Sequence, residues 1–160
     1  MPPPKKQAQT TAAAAKTAAG NKTVQGCPNK VITSKALKHI FHGEINKSGK
    51  AVGFHYEGAD MQAINNTKTT TVTSPPNARG VYEAKVTVKG VVKVAKSTFF
   101  PKKWTKLDVV KAIGEAHKNR SQFNPSKATY FEGKSDDGMT IGMYLNGDGT
   151  IATAFPIYSK

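Results

Sequence analysis

The stretch GVYEAKVTVKGVVKVAKST, residues 80–98, carries the strongest strand signal in the chain, turns at Lys89-Gly90 and runs on into a second β-rich segment. A hairpin of this kind commits the chain to an antiparallel sheet. A second hairpin signal closes the sequence, where GMTIGMYL and TIATAFPIY flank the turn NGDG. The strand–helix–strand alternation of a doubly wound sheet is missing. Helical spacing lies elsewhere. Ser34 reads as an N-cap before Ala36, Leu37, Ile40 and Phe41, which recur up to a stop at Gly43. Thr105 caps a second pattern, Leu107, Val110, Ile113 and Ala116, that should end near Asn119. NKSGK reads as a turn, AVGFHY as a strand or extended loop, NNTKTTTVTSPPNA as a long polar loop, and the segment after Asn119 as a Ser/Asn/Pro loop. The expected fold is α+β, with N-terminal helices packed on antiparallel β-hairpins and the sheet later in the chain.

A length of 160 residues at 38% hydrophobic content suits one domain with a real core. Residues 1–30 hold Lys5, Lys6, Lys16, Lys22 and Lys30 without a single acid, and their Ala, Thr, Pro and Gln content offers little to bury. They read as a flexible basic linker before a domain at 31–160, a domain expected to sit at the C-terminal end of a longer product. No apolar run approaches the length of a membrane span, and the opening segment lacks the apolar core of a secretory signal. A lone cysteine, Cys27, leaves no internal disulfide and no Cys-rich zinc site.

The charge is more telling. Twenty-four Lys and Arg against ten Asp and Glu give a net charge of +14, the balance of a protein whose partner is a polyanion. Nucleic acid comes first and an acidic protein second. Lys85, Lys89, Lys93, Lys96, Lys102, Lys103 and Lys106 are interleaved with Phe99, Phe100 and Trp104, so phosphate contacts and base stacking could share a surface, although Phe100 and Trp104 read first as core.

Three of the four histidines, His39, His42 and His55, gather within one short span, whereas His117 stands alone and reads as a surface residue. No phosphate-binding glycine loop, dinucleotide fingerprint, zincin motif or nucleophile elbow accompanies them. The nearest carboxylates, Glu44, Glu57 and Asp60, match no ligand spacing, so neither a metal nor a cofactor is expected. Metal-free cleavage of RNA fits better. It requires a base for the 2′-hydroxyl, an acid for the leaving 5′-oxygen and a cation for the charged phosphorane, which two histidines and a lysine supply. DNA, lacking the internal nucleophile, would be bound and not cut. The alternative is a non-catalytic basic nucleic-acid-binding module, for which the lysines and aromatics suffice.

Five blocks, KHIFHGEI, GKAVGFHYEG, VYEAKV, STFFPKKW and IATAFPIY, together resemble the bacterial EndoU ribonuclease family and occur in its order from about residue 33 to 160. The resemblance implies a scaffold of the barnase, EndoU and RelE kind and products with a 2′,3′-cyclic phosphate and a 5′-hydroxyl. Carried over residue by residue, it implies His39 and His55 as the catalytic histidines and Thr153 as the catalytic hydroxyl. The catalytic lysine falls on Lys85, with Lys89 the competing choice because both lie on one face of a strand. Phe155 stands where viral and animal members have a tyrosine, which keeps stacking and loses the phenolic hydrogen bond. His42, Lys89, Phe155 and Tyr158 are the expected substrate contacts, with Tyr158 pointing away from Phe155 on an ideal strand. The family further implies a monomeric toxin module, secreted and acting in the cytoplasm of a target bacterium as in contact-dependent growth inhibition. Its substrate would be RNA, with tRNA a candidate, and its partner an immunity protein, expected to be acidic against +14.

Overall fold

The computed structural model describes residues 31–160 apart from positions 65, 123 and 125, so the expected linker and Cys27 lie outside the described residues. Helix α1 (Ser34–His42) is followed by β1 (Glu44–Ile45), β2 (Ala51–Val52), β3 (Lys68–Ser74), β4 (Tyr82–Val88), β5 (Val91–Val92) and β6 (Ser97–Phe99). Helix α2 (Lys106–Lys118) then leads to β7 (Ser121–Gln122), β8 (Tyr130–Lys134), β9 (Thr140–Leu145) and β10 (Ile151–Pro156). The fold is α+β, with these strands paired antiparallel. Helix and sheet are more interleaved than the sequence suggests, because six strands separate α1 from α2. Among the described residues no helix is long and apolar enough to cross a membrane.

Both helices start on threonine. Thr33, one residue before the expected Ser34, accepts from the Ala36 N–H at 3.0 Å. Thr105 forms a reciprocal capping box with Asp108, and that helix ends at Asn119. Three sheets follow. A two-stranded β1–β2 hairpin lies near α1, and a C-terminal sheet runs β10-β9-β8-β7. In the central sheet, β4 is flanked on one side by β3 and on the other by β5 and β6, which pair with successive halves of β4. Strand β3 occupies residues expected to form a loop. Its residues are exposed or half-buried throughout, so it has no hydrophobic alternation to announce it, yet its threonines and Val72 suit an edge strand. Strands β7 and β8 likewise replace part of the loop expected after Asn119.

Two cores result. Both helices pack on the C-terminal sheet around Ile40, Ile113, Ile141 and Met143, and the covered face of β4 packs on Ala51, Phe54 and Phe99. Residues 54–56 thread between them, with Phe54 in the second core and Tyr56 in the first. Phe54 takes a left-handed backbone, φ 68°, directly after Gly53 at φ 80°. Such a residue costs on the order of 1–3 kcal/mol. Complete burial of its ring contributes about 1.5–3 kcal/mol, and its edge-on contact with Phe99 at 5.2 Å adds to this, enough to hold the conformation.

His117 is buried, not a surface residue: its Nε2–H donates to the Gly149 carbonyl at 2.9 Å and fastens α2 to the β9–β10 turn.

Gly53 gives a sharp test of this threading. A Cβ there would collide with the His39 carbonyl oxygen, whereas Gly49, at a similar φ of 79°, has open space around it. Gly49→Ala should therefore cost about 1 kcal/mol, the backbone penalty alone, and Gly53→Ala about 2 kcal/mol or more. Urea unfolding midpoints at unchanged m-value compare the two. Equal costs would mean that the approach to α1 does not constrain the chain.

Candidate active site

The end of α1 brings two histidines together through the backbone. The His39 carbonyl accepts from the N–H of Phe54 at 3.0 Å, and the Ile40 carbonyl accepts from the N–H of His55 at 2.7 Å. The His55 carbonyl in turn accepts from Phe100 just beyond β6, at 3.0 Å. His55 is thus held at the seam where β6 and β10 approach each other. The imidazole centroids of His39 and His55 lie 6.5 Å apart.

The rings are tethered in the same way but sit in opposite surroundings. His39 Nδ1 is 2.7 Å from Glu44 Oε2, a carboxylate that follows the Gly43 helix stop and can only accept, so Nδ1 carries a proton. His55 Nδ1 is 2.9 Å from the Thr98 carbonyl and must donate for the same reason. Among the described residues neither Nε2 atom has a hydrogen-bond partner. His55 is buried, and burial, reinforced by the Lys93 ammonium, pushes its pKa down to about 3 despite the opposing pull of the Thr98 bond. Near neutral pH it is therefore an uncharged imidazole with a free Nε2 lone pair.

Sequence reading places Lys93 only among the interleaved lysines, and the structure brings it to the histidines. It lies just past β5, where the ladder opposite β4 breaks before resuming at β6, and its Nζ donates to the Gly53 carbonyl at 3.0 Å and to Ser97 Oγ at 2.7 Å. Burial lowers its pKa to about 8, and its charge is felt at His55. Lys85 instead projects from the exposed side of β4. Lys89 sits in the turn at φ 51°, with its N–H donating to Thr67 Oγ1 at 2.9 Å. Among the described residues, neither ammonium has a hydrogen bond tying it to His39 or His55. The break between β5 and β6 was the missed signal: the chain leaves the strand at Lys93 and turns that side chain inward.

The remaining predicted residues divide. Phe155 on β10 lies beside His55, with ring centroids 5.6 Å apart. Thr153, two residues earlier on the same face of β10, follows a bulge, and its buried Oγ1 has no hydrogen-bond partner among the described residues. Tyr158 is elsewhere, its hydroxyl donating to the Pro75 carbonyl at 3.0 Å. His42 is half-buried, and its pKa is lowered first by burial and then by Lys106, Lys38 and Lys89, which places it in a lysine-rich neighbourhood one turn from His39. Glu44 was set aside as a metal ligand; its five-residue spacing from His39, across a helix stop, was the clue to its actual partner. Among the described residues no three His, Cys, Asp or Glu side chains are grouped to hold a metal ion.

A family model described as bacterial EndoU nuclease matches residues 33–158. A curated protein of Bacillus cereus, named "Toxin", is 38% identical over 127 residues, an overlap of 75% of this chain and 22% of that protein. The chain thus spans about a fifth of the length of that relative. No solved structure matches it.

The lowered pKa of His55 fixes a sign for stability. Its ordinary value is 6.5, so as the pH falls from 6.5 toward 3 the unfolded chain binds a proton that the folded chain refuses. Stability present above pH 6.5 is lost progressively below it, and the lowered pKa of His42 adds in the same direction. Urea midpoints measured from about pH 7 down to about pH 4 should decline, and His55→Gln should flatten that decline. An unchanged slope in the variant would mean that His55 is not held neutral.

Proposed function

The chain belongs to the bacterial EndoU nuclease family, and we propose that it is the nuclease module of a toxin, a metal-independent endoribonuclease that cuts RNA through the substrate's own 2′-hydroxyl. The observation that carries this reading is the histidine pair, with equivalent Nδ1 tethers and opposite electrostatic surroundings. His55, neutral and with Nε2 free, takes the 2′-hydroxyl proton as the O2′–P bond forms. His39 doubly protonated, with Glu44 supplying the balancing negative charge, gives its Nε2 proton to O5′ as the P–O5′ bond breaks. The products are a 2′,3′-cyclic phosphate and a 5′-hydroxyl. Each proton transfer contributes about 10²- to 10⁴-fold in rate. An arriving phosphodiester anion also offsets some of the penalty on charging His55, and so brings its basicity nearer the working range.

Lys93 fits the cation role better than Lys85 or Lys89. Two of its three N–H donors are occupied by Gly53 and Ser97, which fixes the ammonium close to His55 and leaves one donor for the charge that builds on the phosphorane. Thr153 supplies a hydroxyl and Phe155 a stacking face on the β10 side. His42 with Lys38, Lys89 and Lys106 suits the flanking phosphates. The same positive surface suits an acidic immunity partner, with the module secreted and delivered into the cytoplasm of a target bacterium, as in contact-dependent growth inhibition. A tRNA is one candidate substrate.

Four substitutions and one substrate change test the reading. His39→Ala and His55→Ala should each lower cleavage by at least about 10²-fold while RNA binding persists, and Lys93→Ala should lower kcat more than it raises KM. Lys85→Ala should cost far less than Lys93→Ala; the reverse order would return the cation role to Lys85. A 2′-deoxy nucleotide 5′ of the scissile phosphate should stop cutting in EDTA and leave binding in place. A 5′-phosphate product, or continued cutting of the deoxy substrate, would make water the nucleophile and end this mechanism.

A further inference from the structure

The face of the C-terminal sheet beyond Phe155 carries an aromatic cluster that the cleavage chemistry does not use. Tyr130 on β8 and Tyr144 on β9 are direct cross-strand partners with ring centroids 5.0 Å apart, and each lies 6.4 Å from Phe155 on β10. Tyr130 is buried, whereas Tyr144 is 37% exposed, an open ring on an otherwise packed surface. With Asn124, whose Oδ1 is taken by Ser126, and with Lys127 and Glu132, these three rings line a cavity of about 330 Å³. The Lys127 ammonium lies 5.8 Å from the Tyr130 ring centroid, and the Tyr130 hydroxyl donates to Glu132 Oε2 at 2.6 Å. The opening is next to the catalytic centre, since Phe155 separates it from His55 by a single ring.

We propose that this cavity is a nucleobase subsite for a nucleotide next to the cleaved one, and that it selects bases carrying an exocyclic amino group over uracil. The proposal rests on the reading of the chain as an RNA-cleaving enzyme and goes beyond it. The rings give a stacking platform, which any base accepts, and Lys127 supplies a cation for the accompanying phosphate. Discrimination comes from Glu132. A carboxylate accepts and cannot donate, and Tyr130 takes up one acceptor site of Oε2, which leaves Oε1 without a hydrogen-bond partner among the described residues. Cytosine, adenine and guanine each offer an amino group to such an acceptor. Uracil offers one ring N–H between two carbonyl oxygens, and those oxygens oppose the carboxylate. In a chain with ten acids against twenty-four Lys and Arg, a carboxylate on a substrate-facing surface repels phosphate unless a base hydrogen bond compensates.

The test uses the whole chain and a randomised single-stranded RNA pool, cleaved in EDTA and sequenced on both sides of each cut. At one position within two nucleotides of the cleavage point, uracil should be under-represented by about 5-fold or more against the amino-bearing bases. Glu132→Gln, whose amide can also donate to a carbonyl, should narrow that bias below about 2-fold. Tyr144→Ala should raise KM by about 10-fold with a smaller change in kcat. Cleavage with no discrimination against uracil near the cut, or a Glu132→Gln variant keeping the full bias, overturns the subsite and leaves the nuclease reading standing. No cleavage of any pool member overturns the nuclease reading, and the subsite with it.

Discussion

Everything at this site depends on the place where the end of α1 meets the segment Gly53–His55. Carbonyls at a helix C-terminus have no partners within their own helix. Here the Ile40 carbonyl is satisfied by the N–H of His55, and the His39 carbonyl, which already takes the Gly43 N–H at 3.1 Å, accepts a second bond from Phe54, fixing the second histidine against the helix that carries the first. The approach is close enough to require glycine at 53 and a left-handed backbone at 54. Phe54 and Tyr56, buried in different cores on either side of His55, keep the segment from relaxing. The relative position of the two histidines is therefore held by the packing of both cores.

Within that frame, differences in surroundings divide the labour between two identical side chains. Each ring has its Nδ1 tied, so the tautomer is set and Nε2 is the working atom on both. What differs is charge and water. Glu44 gives His39 a counter-charge at 2.7 Å, while His55 has a neutral carbonyl, little water and a nearby ammonium. Exchanging the two roles would require the imidazolium beside Lys93 already in the resting site, which desolvation and like-charge repulsion both oppose, whereas a base gains its proton only as the reaction proceeds and the phosphodiester charge is at hand. In the proposed mechanism the base role therefore goes to His55, on the strength of its surroundings.

The histidine pair was legible in the sequence because the motifs around it are local: His39 sits before a helix stop, and His55 follows a glycine that the approach demands. The α+β class was legible too, since both helices and both hairpins have contiguous signals. The lysine was less so. YEAKV puts Lys85 in the best strand, but alternation says which residues share a face and not which face meets the site; Ala84 and Val86 take the covered side and leave Lys85 outside. The setting of Lys93 was hidden because VVKVAKST reads as one continuous strand, whereas the ladder opposite β4 is interrupted between Lys93 and Ser97 and the half-buried lysine turns toward Gly53. Strand β3 was missed for the opposite reason, as an edge with both faces largely exposed carries no periodic pattern. His117 was misread because its acceptor, Gly149, lies 32 residues away.

The seat of Lys93 explains why these groups should act as a unit. Its ammonium and the Ser97 hydroxyl both donate to the Gly53 carbonyl, and Gly53 is the residue whose close approach to His39 fixes the histidine pair. The groups proposed as cation, base and acid are therefore positioned by one short run of backbone. Removing the lysine would leave a buried carbonyl and hydroxyl with one partner fewer at the point on which His55 depends. Losses at His55, Lys93 and Ser97 are expected to be non-additive for that reason, as they are for groups sharing a single network. In the proposed mechanism the arrangement also accounts for the partial burial of an ammonium at some cost in proton affinity: a lysine in water would keep its charge more easily but would not be held still where the phosphorane is to form.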